Sequence, residues 1–201
     1  MGEGSAPLSL AHTLFVNRDN LRASYLKHNG QLLVFDHEFG AYFSNRPDNH
    51  AAILLDACRA QTEVKSIPDK DLTKLRNLDQ GHSIEYLIWD TFHSLEQVEL
   101  LIPFPTASLF SLWRWPDYIE MTPTAADVRL AAFLARHKRS LEETMAETET
   151  SKTEALHLLM ACHYLGYLSV DKSDFIHRKI HTLRSATASL FSSIRERLGA
   201  S

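Results

Sequence analysis

The sequence predicts an α+β protein, because strand-like and helix-like patterns alternate in its first part and helix-start signals accumulate in its second part. Two observations carry this prediction. The apolar run QLLVFD at residues 31–36 has the length and composition of a buried strand. Between residues 124 and 154, three hydroxyl residues are each followed three positions later by a carboxylate, a pattern typical of helix N-termini.

A small mixed α/β module is expected over about residues 1–80. Residues 8–16 are apolar and strand-like, and residues 20–28 read as a short helix that ends at Gly30. The strand at 31–36 should pair, across a short loop, with residues 41–43.

After the turn signal at residues 45–49, apolar residues recur at helical spacing and predict a helix. They are Ile53, Leu54, Ala57 and Cys58. Residues 64–67 predict one more strand. Leu72, Leu75 and Leu78 then recur every third residue, which predicts a short packed helix at the joint between modules.

A connecting region is expected over residues 81–121. Residues 83–92 place four large apolar side chains on one helix face, and Pro103 and Pro105 favour an extended passage. Residues 109–118 are dense in aromatic side chains.

A compact helical module is expected over residues 122–171. Its three helix starts are capping boxes formed by Thr124 with Asp127, Ser140 with Glu143, and Ser151 with Glu154. About four residues join the second and third helices, as in a helix-turn-helix, and Gly166 suits the end of the third. Residues 168–170 predict a short strand after it, in the position of a wing.

Residues 129–170 contain the pattern RLAAFLARHKRSLEETMAETETSKTEALHLLMACHYLGYL. This pattern resembles the winged-helix-like C-terminal domain of PatA-type proteins and other bacterial signalling and motility regulators. The segment LWRWPDY at 112–118 is similar to segments of proteobacterial proteins associated with small-GTPase and roadblock-domain systems. The resemblance implies a winged-helix-like module, a bacterial source, and a protein partner such as a small GTPase or a roadblock protein.

Composition and charge narrow the function classes. No run of about 18 apolar residues exists and the N-terminus lacks the pattern of a signal peptide, so we expect a cytoplasmic protein with no membrane span. Cys58 and Cys162 have neither the number nor the spacing of a disulfide framework or a zinc site. The net charge of −4 gives the chain as a whole no attraction for nucleic acid.

The third predicted helix carries the first candidate partner surface. Leu156, Met160 and Tyr164 form an apolar stripe at i, i+4 and i+8 that could either bind a partner or be covered within the monomer. Residues 140–166 contain five glutamates and one lysine, which disfavours binding to DNA phosphates. Nucleic acid is therefore an unfavoured partner for this module.

Residues 172–201 form a basic tail with a helical apolar seam. The seam consists of Ile176, Ile180, Leu183, Thr187, Leu190, Ile194 and Leu198. The tail carries Lys172, Arg178, Lys179, Arg184, Arg195 and Arg197 against two acidic residues, whereas the rest of the chain is acidic. A C-terminal amphipathic helix is expected, which could dock on its own body, form a homodimer or a partner helix, or bind a membrane surface.

Trp113, Arg114 and Trp115 are the second candidate partner surface, since tryptophan and arginine dominate binding hot spots and can stack as cation–π pairs. The alternative is that both indoles plug the gap between the two halves of the chain.

Two further groups of side chains carry residue types used in metal binding or catalysis. His177 and His181 share a helix face but lack a third metal ligand, so no metal site is expected. Residues 36–38, Asp-His-Glu, could form an acid–base group, yet no nucleophile elbow or Gly-rich phosphate loop accompanies them. We expect no cofactor.

The sequence therefore favours a non-catalytic bacterial signalling or adaptor protein that acts by protein–protein binding. The alternative is a DNA-binding transcriptional regulator of winged-helix type, with the basic tail supplying phosphate contacts. An enzyme with a site near residues 36–38 is a third possibility.

Overall fold

The protein has an α+β fold, as the sequence predicts. The computed structural model describes residue 14 and residues 22–46, 48–78, 81–96, 98, 104–105 and 107–172. The strand predicted at residues 8–16 therefore lies almost entirely outside the described residues, and so does the tail beyond residue 172.

A five-stranded antiparallel sheet forms the N-terminal part. Its strands are β1 (Ala23–His28), β2 (Gln31–Asp36), β3 (Ala41–Ser44), β4 (Val64–Ser66) and β5 (His82–Ser83), in the order β4-β1-β2-β3-β5. The predicted pairing of β2 with β3 is confirmed, with Asp36 opposite Ala41 and Leu33 opposite Ser44.

The helix predicted over residues 20–28 is wrong, because residues 23–28 form strand β1. Asn29 and Gly30 both adopt positive φ angles, 48° and 75°, and join β1 to β2 as a two-residue hairpin. An Asn-Gly pair between two apolar runs is a strong hairpin signal, because its backbone twist matches that of the flanking strands. Gly30 therefore serves a turn and does not end a helix.

Helices cover both faces of the sheet. Helices α1 (His50–Arg59) and α3 (Ile84–His93) belong to the same core as Leu33 and Phe35, whereas Leu72 of α2 (Asp69–Leu78) packs with Val34 in a second, smaller core. Burial on both faces explains why β2 reads as a continuous apolar run. All three helices were predicted, although Leu78 is exposed.

The C-terminal part combines three helices with a two-stranded ribbon. These elements are β6 (Ser108–Leu112), α4 (Ala125–Leu134), α5 (Leu141–Thr148), α6 (Lys152–Tyr164) and β7 (Leu168–Lys172). All three predicted capping boxes are formed in both directions, and Gly166 has a φ of 75° after α6.

The ribbon pairs a strand from before the helices with the strand after them. Strand β7 confirms the prediction at 168–170, and it runs antiparallel to β6 from Leu112 opposite Leu168 to Ser108 opposite Lys172. Phe110 of β6 also bridges to Arg139, just before α5. Through this bridge the segment just before α5 is held beside the ribbon.

One hydrophobic core runs from the sheet to α6. Helix α6 packs against α3, where the Phe92 and Tyr164 rings stack with centroids 4.8 Å apart. The core therefore crosses the boundaries predicted near residues 80 and 121, and a division of the chain at those points stays a prediction.

Candidate partner-binding surface

The segment that follows β6 is anchored by buried side chains. Leu112, Pro116 and Met121 are buried, and the Tyr118 hydroxyl donates a hydrogen bond to the Asp127 carbonyl oxygen at 3.2 Å. The Tyr118 ring also meets Trp89 edge to face, with centroids 5.7 Å apart. These contacts fix the backbone of a short loop outside regular secondary structure.

Between its anchors this loop presents large side chains to solvent. Trp113 is 68% exposed, Trp115 is 45% exposed and Ile119 is 94% exposed. We call these three side chains and the exposed Arg114, which all lie within one short loop, the aromatic surface. The alternative that both indoles plug a gap between the two halves is wrong, because such residues would be buried.

Tyr167, which directly precedes β7, contacts Trp113 and Arg114 of the aromatic surface. The backbone N–H of Trp113 donates a hydrogen bond to the backbone carbonyl oxygen of Tyr167 at 3.1 Å. The Arg114 guanidinium carbon lies 4.7 Å from the Tyr167 ring centroid. Burial of the Tyr167 hydroxyl, with the nearby Glu85 carboxylate, raises the pKa of this tyrosine above its usual value. The cation–π contact of Arg114 is thus with Tyr167, while Trp113 and Trp115 pack edge-on against Tyr167 and Tyr118 and stay exposed.

Sequence reasoning found three members of the aromatic surface and missed Ile119. A lone isoleucine in a turn gives no periodic signal, and its exposure follows only from the direction that the loop takes after Pro116. Tyr167 was likewise missed, since its position beneath Arg114 depends on the pairing of β6 with β7.

The apolar stripe of α6 is part of the core, so its interpretation as a partner surface is wrong. Leu156, Met160 and Tyr164 are 1%, 0% and 3% exposed. The opposite stripe of the helix is buried as well, including Leu158 and Cys162. A helix that is apolar on every side is an internal helix, and α3 covers the side on which the sequence left room for a partner.

The Asp36-His37-Glu38 group is part of an ion-pair network. The fully buried Asp36 carboxylate receives two hydrogen bonds from Arg76 of α2, at 2.6 and 2.9 Å, and Arg76 also contacts Glu38 at 3.1 Å. Hydrogen bonds from Arg22 and Arg76 hold the pKa of Glu38 below its usual value. The carboxylates of Asp36 and Glu38 therefore link the end of β2 and the β2–β3 loop to α2. The sequence pattern did not predict this structural role.

A second polar pair joins α3 to the start of α4. His93 lies 3.0 Å from the buried Asp127 carboxylate through Nε2 and 2.9 Å from the Trp89 carbonyl oxygen through Nδ1. Burial acts to raise the pKa of Asp127, but the hydrogen bond and charge of His93 and two hydrogen bonds from Thr124 outweigh it, so this pKa is below its usual value. The carboxylate therefore serves both the contact with His93 and the capping box.

The remaining candidates lie in the tail. His177 and His181, and the basic residues Arg178, Lys179, Arg184, Arg195 and Arg197, fall outside the described residues. Within the described part of the chain, no three His, Cys, Asp or Glu side chains are grouped closely enough to hold a metal ion. In the same part, no helix has the length and apolarity needed to cross a membrane.

Comparisons with family models, with curated proteins and with solved structures find no match to this chain.

Proposed function

We propose that this chain is a non-catalytic bacterial signalling or adaptor protein of the cytoplasm that docks a partner protein on the aromatic surface. The observation that carries this proposal is the pair of exposed indoles, Trp113 and Trp115, on a loop whose backbone is anchored in the core. A loop held in this way loses little conformational freedom on binding, which favours affinity.

The chemistry of the surface favours a protein partner. Tryptophan and arginine are enriched among interface hot spots, because each combines a large apolar area with a polar group that fixes orientation. Ile119 adds an aliphatic side chain beside the indoles in sequence, and Asp117 and Glu120 add exposed carboxylates. An apolar centre with charged neighbours matches the usual anatomy of a transient interface.

A small GTPase or a roadblock protein is the partner class that we propose to examine first, since the segment around Trp113 resembles proteins of those systems. A direct test replaces Ile119 with a photoreactive amino acid in the full chain, in the native host. Because Ile119 is 94% exposed, the replacement should leave the fold intact. We expect light to link this position to one partner protein.

The control is the same photoreactive residue at Leu78, which is 83% exposed on α2. A partner linked through Ile119 and not through Leu78 supports the proposal. Equal labelling from both positions, or labelling from Leu78 alone, contradicts it.

The winged-helix alternative requires α6 to enter the major groove of DNA, and the burial of this helix argues against that role. Only Lys152 and Glu154, in its first turn, are exposed among its residues. The exposed glutamates of α5, Glu142, Glu143 and Glu147, would also repel phosphates.

We therefore predict no tight duplex binding by the full chain. Gel shift at low salt is the measurement, with a mixed-sequence duplex as the probe. Sub-micromolar binding that weakens steeply as salt is added would favour the DNA-binding alternative.

A further inference from the structure

We propose that the part of the basic tail that follows β7, residues 173–201, docks on the aromatic surface of its own chain and so competes with the partner. This inference rests on the proposed function for its regulatory meaning. The docking itself is independent of whether a partner uses the surface.

The path of the chain places the tail within reach. Strand β7 ends at Lys172, opposite Ser108, and its last residues are held beside the start of α5 by the ion pair between Asp171 and Lys138. Trp113 lies at the other end of the same ribbon, directly after Leu112, which is the last residue of β6. Five paired residues span only about 13 Å. A helix of about 29 residues is roughly 43 Å long, so a tail that turns back along the ribbon passes the aromatic surface.

The tail seam and the aromatic surface match in chemistry. The seam repeats Ile and Leu at helical spacing and needs an apolar surface to cover it. Seven large hydrophobic side chains are exposed among the described residues, and three of them, Trp113, Trp115 and Ile119, lie on the aromatic surface. No other described segment of similar length exposes so many.

Charge favours the same assignment. Residues 173–201 contain five Arg or Lys residues and two acidic ones, whereas the loop that carries the indoles also carries the exposed Asp117 and Glu120. Arg side chains of the tail can also stack on the indole rings. Helix α5 is more acidic, but its apolar residues Leu141 and Met145 already pack against the core, so it offers the seam little apolar area.

The experiment compares two double variants of the full chain. Leu183→Asp with Leu190→Asp puts two charges in the seam, and Ser185→Asp with Ser192→Asp puts the same two charges on the opposite side of a helix. Acrylamide quenching of tryptophan fluorescence reports on coverage, because Trp89 is buried and only Trp113 and Trp115 can change.

Docking predicts that the seam variant alone becomes quenchable, with the accessible fraction rising toward two of the three tryptophans. A synthetic peptide of residues 173–201 added to the seam variant should restore protection. If wild type, seam variant and control variant are quenched equally, the tail does not cover the aromatic surface and the inference fails.

Cross-linking separates docking within one chain from docking between two copies. Cys58 and Cys162 are buried, so Ile119→Cys with Leu183→Cys supplies the accessible thiols for a bifunctional maleimide. A cross-linked product at monomer mass supports the inference, and one at dimer mass alone overturns it in favour of a second copy.

The two proposals can fail separately. Tail docking predicts that the seam variant captures more of the protein cross-linked through Ile119 than wild type does. Seam-dependent quenching without any partner at Ile119 would leave tail docking standing and remove the proposed function. Partner capture through Ile119 without seam-dependent quenching would leave the proposed function standing and rule out tail docking.

Discussion

Replacing Met160 with glutamate is expected to destabilise the fold severely. Met160 has no exposed surface and lies in the core that joins α6 to α3. A carboxylate there would lose its hydration without a partner, which costs several kcal/mol even if the group becomes protonated. The free energy of unfolding should therefore fall by more than about 4 kcal/mol, a large share of the roughly 5–15 kcal/mol that stabilises a typical domain.

Circular dichroism during urea and thermal unfolding measures this effect. The matched control is Val128→Glu on α4, since Val128 is 42% exposed and should tolerate the charge within about 1 kcal/mol. A folded Met160→Glu protein with wild-type stability would mean that the stripe is on the surface and that the packing described above is incorrect.

Replacing Asp127 with asparagine should lower the free energy of unfolding by about 2 kcal/mol, the usual contribution of hydrogen bonds to a buried charged group. The substitution removes the carboxylate beside His93 and weakens the capping box, in which this carboxylate accepts hydrogen bonds from the backbone N–H and the hydroxyl of Thr124. Because Asp127 belongs to α4 and contacts His93 of α3, the change affects both helices.

The pH dependence of the stability tests the contribution of the Asp127 carboxylate. The pKa of Asp127 is lowered in the folded protein from an ordinary value of 3.8, so its contribution is fully present above that value and is lost as the pH falls through the lowered pKa. The stability difference between wild type and Asp127→Asn should therefore shrink as the pH falls below about 4. Asp48→Asn, an exposed control, should change stability by less than about 0.5 kcal/mol. A wild-type stability curve for Asp127→Asn would contradict the role of this carboxylate.

Local signals in the sequence predict much of the secondary structure and little of the site. Capping boxes such as Ser151 with Glu154 involve residues three positions apart, so they can be recognised without knowledge of the fold, and all three are formed. The helix prediction at residues 23–28 is wrong because a short apolar run fits both the helical and the strand period. The Asn29-Gly30 pair is a hairpin signal and favours the strand.

Exposure depends on contacts between distant parts of the chain, which no local pattern contains. Met160 and Trp113 are both large apolar residues in patterned segments, yet the core that includes α3 covers the first, whereas the second is 68% exposed. For both groups the sequence left open whether they bind a partner or are covered within the chain. The fold buries the helix stripe in the core, whereas the loop after β6 leaves both indoles exposed.

The most direct measurement of the central claim is the affinity of the full chain for the partner found through Ile119. Titration calorimetry with the purified partner would compare wild type, Trp113→Ala and Leu78→Ala. Loss of a hot-spot indole costs at least about 2 kcal/mol, so Trp113→Ala should bind about 30-fold more weakly. Leu78→Ala, which truncates an even more exposed side chain elsewhere, should bind as wild type does. If Trp113→Ala binds with wild-type affinity while remaining folded, the aromatic surface is not the docking site of this protein.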